Sequence, residues 1–541
     1  MFERYTEKAR RVIFFGRYEA SQAGSPAIEP EHLLLGLIRE DPHLARRLFP
    51  TGDRAIRTIR ANIAATTQIR EKISTAVQLP LGPDTKRLLA YAHEESDYLQ
   101  HRHIGTEHLL LGLLRDEHTH AAKALHEVGL TLEKLRDEMG RVKARPSIEG
   151  KAFRTVLGVE KLLEDRLDTL RGARIGLICN QASVDHYFHH AADLFHTHPE
   201  VDLTTLFGPQ HGIRGDVQDN MIETDHSVDH ATQLPIYSLY SETREPTESM
   251  LANIDAFVFD MQDVGCRIYT FAYTMANCMR AAKAFGKRFI VCDRPNPIGG
   301  VKVAGNVLEP EQASFVGLFS IPTRHGMTLG ELALMFNDHF AIGCELEVIK
   351  MEGWRRDHWY DQTGAPWVMP SPNIPTVDSA TVFPGTVHFE GTQLSEGRGT
   401  TRPFELIGAP YIVPQDYAAA LNNVGLPGVV FRSCVFQPTF QKHAKVSCGG
   451  VQIHVTDREE FEPVISGIAM VKIAYDMYKD NFKWKEPPYE YVFDRNPFDV
   501  IAGTTKIREG IEGGVSLEGI ERSWNSRLDE FKKVRAKYLL Y

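Results

Sequence analysis

The chain has 541 residues, a formal net charge of -10, 43 % hydrophobic residues and 24 % charged ones. That length suits about three or four domains, and the composition is that of a globular chain with material for several cores. The acidic balance argues against nucleic acid or an anionic membrane as partner, and no run of about eighteen apolar residues predicts a span across a bilayer.

The amino terminus, MFERYTEKARRVIFF, scatters charges through its apolar residues and lacks the uninterrupted run of a secretory signal, so a cytoplasmic chain is expected. Cysteines 179, 266, 278, 292, 344, 434 and 448 are odd in number and never in C-x-x-C spacing. They read as reduced, buried thiols. An internal repeat follows. Glu31-His32-Leu33-Leu34-Leu35-Gly36-Leu37 recurs as Glu107-His108-Leu109-Leu110-Leu111-Gly112-Leu113, each copy preceded by an isoleucine, Ile28 and Ile104. Amphipathic helices are predicted upstream of the copies, over Tyr5 to Ala23 and Thr85 to Gln100, with Thr106 as N-cap of the second copy. Two such helical units can share one core. On YTEKARRVI and the paired EHLLLGL, residues 1–145 resemble the double-repeat N-terminal domain of the Clp family of unfoldases. No GxxxxGK[ST] phosphate loop occurs in the chain, so no ATP motor is expected. The resemblance implies a docking module whose partner is a Clp-type protease system or a second copy of the chain. Residues 146–154, with Pro146 and Gly150, read as a linker.

The rest of the chain alternates strands and helices. A helix is predicted at 157–168, a strand at Ala173 to Cys179, a helix at 186–197 and a strand at 201–207. Strands Ile254 to Phe259 and Arg288 to Cys292 flank a helix at 272–285. This alternation implies a mostly parallel sheet covered on both faces. Polar residues gather just after the strands: Asn180, then Gln210, His211, Arg214 and Asp216 in FGPQHGIRGD, then Asp260 and Asp263, then Asp293 and Asn296. Ligands bind at that edge of an open α/β sheet. No GxGxxG follows the first strand, which disfavours a dinucleotide. His211, Asp216, Asp260 and Asp263 could ligate a metal, but no HxH, HExxH or DxDxD spacing supports one, and no cofactor is expected.

From about residue 346 the pattern changes. Trp354, Trp359 and Trp367 offer faces for sugar rings, with core packing as the alternative reading for each. Pro370-Ser371-Pro372-Asn373-Ile374-Pro375 reads as a rigid extended stretch. The segment from Glu390 to Arg402 carries two carboxylates and two guanidinium groups, with glycines 391, 397 and 399 allowing close backbone approach to a ligand. Strands near 429–436 and 449–456 and helices near 458–479 and 517–537 are predicted beyond it.

FGPQHGIRGD, LPIYSLY, FDMQDVGCRIYT, DRPNPIGG, IPTRHGMTLGEL, PSPNIPT and EGTQLSEGRGTTRPFELIGAP, in that order, resemble the exo-β-N-acetylmuramidase family. The resemblance runs from about residue 155 to the carboxyl terminus. Together with the Clp-like repeat it implies an all-α N-terminal double-repeat domain followed by a two-lobed α/β enzyme: a Rossmann-like lobe over 155–345 and a smaller C-terminal α/β lobe over 346–541. The implied activity is release of terminal N-acetylmuramic acid from peptidoglycan fragments. The expected acid/base pair is Asp263 and Glu396, supported by Asp260, Asp293, Gln210 and His211. Arg214, Arg267, Arg398 and Arg402 are candidates for the lactyl carboxylate, and Asn180, Tyr269 and Asn296 for other sugar contacts. One position departs from the family. Its P-E-H-G glutamate is Gln210 here, and a glutamine exchanges no proton near neutral pH. Two readings follow, a glycosidase using another carboxylate or a muropeptide-binding sensor that has abandoned catalysis.

Overall fold

The computed structural model describes residues 4–40, 53–66, 70–74, 77, 79–98, 104–136, 155–209, 212–213, 226–240 and 243–541. The chain divides into two compact units, Met1–Gly150 and Lys151–Tyr541. The described parts of the first are helical, with helices Glu7–Ala23, Pro30–Glu40, Asp53–Thr66, Pro83–Tyr98, Thr106–Arg115 and His120–Glu127. The repeated motif works alike in both copies. Its histidine turns back to accept a backbone N–H ahead of the helix, Glu29 N to His32 Nδ1 at 3.0 Å and Gly105 N to His108 Nδ1 at 2.9 Å. Thr106 is therefore the first helical residue and Gly105 the cap, because His108 already satisfies the orphan donor. The motif glycines sit where helices cross. A Cβ at Gly36 would lie 2.6 Å from the Val12 carbonyl, and one at Gly112 2.6 Å from that of Leu88. The two copies interlock through the bridges Tyr5↔Ile104 and Ile28↔Leu81, and their leucines join one core. The linker segment 146–154 lies outside the described residues.

The second unit is built on a seven-stranded sheet of order β3-β4-β2-β1-β5-β6-β9. Its strands are β1 (Arg174–Cys179), β2 (Asp202–Gly208), β3 (Ser227–Val228), β4 (Pro235–Ser238), β5 (Ala256–Asp260), β6 (Arg288–Cys292) and β9 (Glu345–Ile349). All neighbours pair in parallel except β3, which runs antiparallel to β4 at one edge. Alternation along the strands feeds two separate cores, as a sheet covered on both faces requires. Ala256, Val258, Ile290 and Cys292 pack with Leu162 and Phe195. Phe257, Phe259, Phe289 and Val291 pack with Met275, Met279 and Phe336 from the helices Phe271–Ala284 and Leu329–Asp338. The helix expected at 186–197 is confined to Ala191–Thr197, because the Asp185 carboxylate accepts the N–H of Tyr187 and of His189, each at 2.8 Å, and holds a turn there.

Beyond a small hairpin of β7 (Ala304–Val307) and β8 (Pro322–Arg324), a three-stranded antiparallel sheet has the order β10-β12-β11. It comprises β10 (Leu406–Ala409), β11 (Val429–Phe436) and β12 (Cys448–Val455). Helix Pro414–Asn422 packs with it and helix Pro463–Met477 packs against that helix, and the predicted 517–537 helix is broken into Leu517–Arg522 and Asn525–Arg535. The seven-stranded sheet also takes in β9, so it extends past residue 345. All seven cysteines are free thiols. Among the described residues no helix is long and apolar enough to cross a membrane.

Candidate active site

Parallel pairing brings the carboxyl ends of β1, β5 and β6 to one edge of the sheet, and the polar residues that follow them are buried there. Most are engaged by the protein itself. Arg294 clamps Asp260 with both arms of its fork, Nε to Oδ1 at 2.6 Å and Nη2 to Oδ2 at 2.7 Å. Asn180 donates to the Pro370 carbonyl at 3.0 Å, and Asn296 to that of Met327 at 3.0 Å. Asp293 receives Thr328 Oγ1 at 2.7 Å and the Tyr541 hydroxyl at 2.8 Å on Oδ2, and the N–H of Gly330 on Oδ1. Burial, more than its neighbours, pushes the Asp293 carboxyl up to about 7. Arg267 donates to the Ile501 and Ala502 carbonyls at the end of helix Pro497–Ala502, and burial lowers its pKa. Asp263 accepts the Gly265 N–H at 2.7 Å and stands 3.5 Å from His325 Nε2. Arg402 pairs with Glu405 at 3.0 Å. Gln210, His211, Arg214 and Asp216 lie outside the described residues.

A cavity opens beside this edge. Its walls come from several separated segments, among them Tyr269 to Phe271 entering helix Phe271–Ala284, Ser371 with Asn373 and Ile374, Glu390 and Arg398, Phe404, and Tyr489 with Glu490. Of the expected site residues, Tyr269 and Arg398 line it, and neither Asp263 nor Glu396 does. The Pro-rich stretch is turned rather than extended, with Ile374 N donating to Ser371 O at 2.9 Å, and the turn presents Ser371 and Asn373 to the cavity. The tryptophans take the core-packing alternative. Trp354 meets Tyr541 edge-on at 5.1 Å, Trp359 bonds Glu459 and Trp367 the Pro375 carbonyl, and none lines the cavity. Glycines 391 and 399 serve close approach to the chain's own backbone. A Cβ there would lie 2.4 Å from Phe498 Cα and 2.6 Å from the Phe440 carbonyl.

The polar wall is a chain of paired charges. Glu390 receives Arg398 Nη2 on Oε1 at 2.5 Å and the Tyr489 hydroxyl on Oε2 at 2.7 Å. Burial opposes its ionisation, yet Arg398 and these bonds hold its carboxyl below the ordinary range. Arg398 Nε reaches Glu396 at 3.3 Å, and Lys442 Nζ binds the other oxygen of Glu396 at 2.8 Å. Glu490 accepts the Tyr240 hydroxyl at 2.8 Å; burial first, and then the charge of Glu390, raise its pKa. Two neighbouring carboxyl groups thus have their affinities for a proton driven apart, the arrangement by which one site supplies both an acid and an anion. Glu390 was visible in the Gly-rich motif. Glu490 was missed, for Pro-Pro-Tyr-Glu-Tyr carries no polar cluster or strand end to mark it.

Residues 175–378 match the family model of the N-terminal region of exo-β-N-acetylmuramidase NamZ, and residues 381–541 that of its C-terminal region. Residues 4–128 match the Clp repeat (R) N-terminal domain. The chain is 48 % identical over 384 residues to the peptidoglycan β-N-acetylmuramidase NamZ of Bacillus subtilis (strain 168), covering 71 % of this chain and 91 % of that protein. The first unit is similar to a ClpA homologue of Cyanidium caldarium, 36 % identical over 142 residues, and spans only 16 % of that protein's length. The crystal structure of a DUF1343 family protein from Bacteroides fragilis NCTC 9343 superposes with a TM-score of 0.65 at 38 % identity, over 72 % of this chain and 99 % of that one.

Proposed function

The chain belongs to the exo-β-N-acetylmuramidase family, and from that membership we propose that its larger unit is a glycosidase releasing terminal N-acetylmuramic acid from peptidoglycan fragments. The observation that carries this reading is the cavity with Glu390 and Glu490 in its wall, since glycoside hydrolysis draws on a pair of carboxyl groups in unlike protonation states. Tyr269, Phe271 and Phe404 supply apolar walls for the flat faces of a sugar, and Ser371 and Asn373 supply polar contacts.

In this reading the unit has a Rossmann-like lobe and a smaller lobe carrying the antiparallel sheet, with the cavity drawing walls from each. The parallel order β2-β1-β5-β6-β9 supports it. Glu396 acts from behind the wall by holding Arg398 and Lys442, and Asp263 by facing Tyr269, whose hydroxyl its charge helps keep protonated after burial. The activity suits turnover of cell-wall fragments in the cytoplasm. The Clp-like unit serves as a docking module for a Clp-related partner or a second copy. Incubating the full chain with MurNAc-GlcNAc disaccharide and with a chromogenic MurNAc glycoside tests the function, and free N-acetylmuramic acid is the expected product. A chain that binds the disaccharide but releases nothing between about pH 4 and about pH 9 would be a sensor instead.

A further inference from the structure

We propose that Glu490 is the general acid of this site and Glu390 its ionised partner, so that the catalytic proton is carried by the Tyr489–Val492 turn and not by the position of Gln210. The assignment rests on the glycosidase reading above and goes beyond it by naming the group that protonates the leaving sugar.

The hydrogen bonds distinguish the two carboxyl groups. Glu390 has a donor on each oxygen, one of them a guanidinium, and that environment suits an anion. Among the described residues Glu490 has one donor, the Tyr240 phenol on Oε2, which leaves its other oxygen for a ligand in the cavity. Both residues are buried, at 6 % and 4 % exposure. Along this wall Arg398 and Lys442 pair with Glu390 and Glu396, whereas Glu490 makes no ion pair among the described residues, and burial together with the charge of Glu390 favours its protonated form. Among the described residues, Arg244, stacked 4.1 Å over the Tyr240 ring and 4.7 Å over that of Tyr491, also faces Glu490 and, like Arg398, acts in the opposite sense to Glu390.

The backbone gives an independent sign. Tyr489 and Val492 exchange both backbone hydrogen bonds, at 3.0 and 2.9 Å, around a two-residue turn. Its central residues have φ of 44° at Glu490 and 65° at Tyr491, where such turns ordinarily carry Asn-Gly. A side chain kept in the left-handed region without glycine is strained, and strain of this kind gathers at functional sites. Here it aims a glutamate into the cavity beside Glu390.

In the reaction the Glu490 proton passes to the glycosidic oxygen as its bond to C1 breaks, the bonding pair leaving with that oxygen. The positive charge arising at C1 and the ring oxygen faces the Glu390 carboxylate. A water molecule then adds its oxygen to C1 and surrenders a proton, which restores Glu490.

The test uses the full chain and two substrates, MurNAc-GlcNAc, whose departing alcohol needs a proton, and 2,4-dinitrophenyl MurNAc, whose phenolate does not. Glu490→Gln should lose about 10²- to 10⁴-fold on the disaccharide, far less on the dinitrophenyl glycoside, and the alkaline limb of its pH profile. Glu390→Gln should lose activity on both substrates. Tyr240→Phe removes a bond that favours the Glu490 anion, so its alkaline limb should move to higher pH. Disaccharide cleavage by Glu490→Gln within about tenfold of the native rate would overturn the assignment. So would an equal loss on both glycosides in a variant that melts like the native chain, or an unmoved alkaline limb in Tyr240→Phe. A native chain that cleaves neither glycoside would instead bring down the glycosidase reading itself, and the assignment with it.

Discussion

Asp293 lies at the end of β6 with both oxygens hydrogen-bonded, and burial nonetheless pushes its carboxyl up to about 7 from an ordinary 3.8. The folded chain therefore keeps this proton at pH values where the unfolded chain has released it. The contribution to stability is complete below about pH 4 and is lost as pH rises through about 7. Comparing the unfolding free energy of the native chain with that of Asp293→Asn across this window should show a pH-dependent gap. It should change in that direction by an amount on the order of a few kcal/mol. Asp260 is fully buried against Arg294, and both of its oxygens are taken. A carboxylate after a strand end is thus as suited to locking loops together as to chemistry, and its partner decides which.

The helical repeat states its own packing rule. In Glu-His-Leu-Leu-Leu-Gly-Leu the histidine closes the helix start, the leucines fill the core and the glycine admits the neighbouring backbone. Gly36→Ala and Gly112→Ala should each destabilise the first unit by about 1–3 kcal/mol, because the new methyl meets a carbonyl oxygen that cannot swing aside. Thermal melts of the isolated repeat would show it, while MurNAc release by the full chain should be unchanged. Periodicity made these helices legible, as it did β5 and β6, whose alternating residues part into two cores. It failed where side chains intervene in backbone pairing, as at Asp185, and where a Pro-rich stretch turns at Ser371 to Ile374.

At the scale of the whole chain, the two units carry separate cores. Residues 151–541 alone are expected to release N-acetylmuramic acid with the full chain's kcat/KM, and residues 1–145 alone to melt cooperatively. Steady-state kinetics of the shorter chain check the first statement. A fall of more than about tenfold would mean that the repeat unit takes part in the reaction.

The sequence by itself determined the repeat, the alternation of the parallel sheet and, through seven ordered motifs, the family, since each is written in spacings along the chain. It also placed Tyr269 and Arg398 among the residues to watch, and both line the cavity. Only the tertiary structure decided which carboxyl groups line the cavity. Asp260 is spent on an arginine 34 residues away, whereas Glu390 meets Tyr489 across 99 residues and so comes to share a wall with Glu490. Hydropathy records whether a residue is buried. What a buried carboxyl can do depends on its donors and neighbouring charges, and those arrive from segments that only folding brings together.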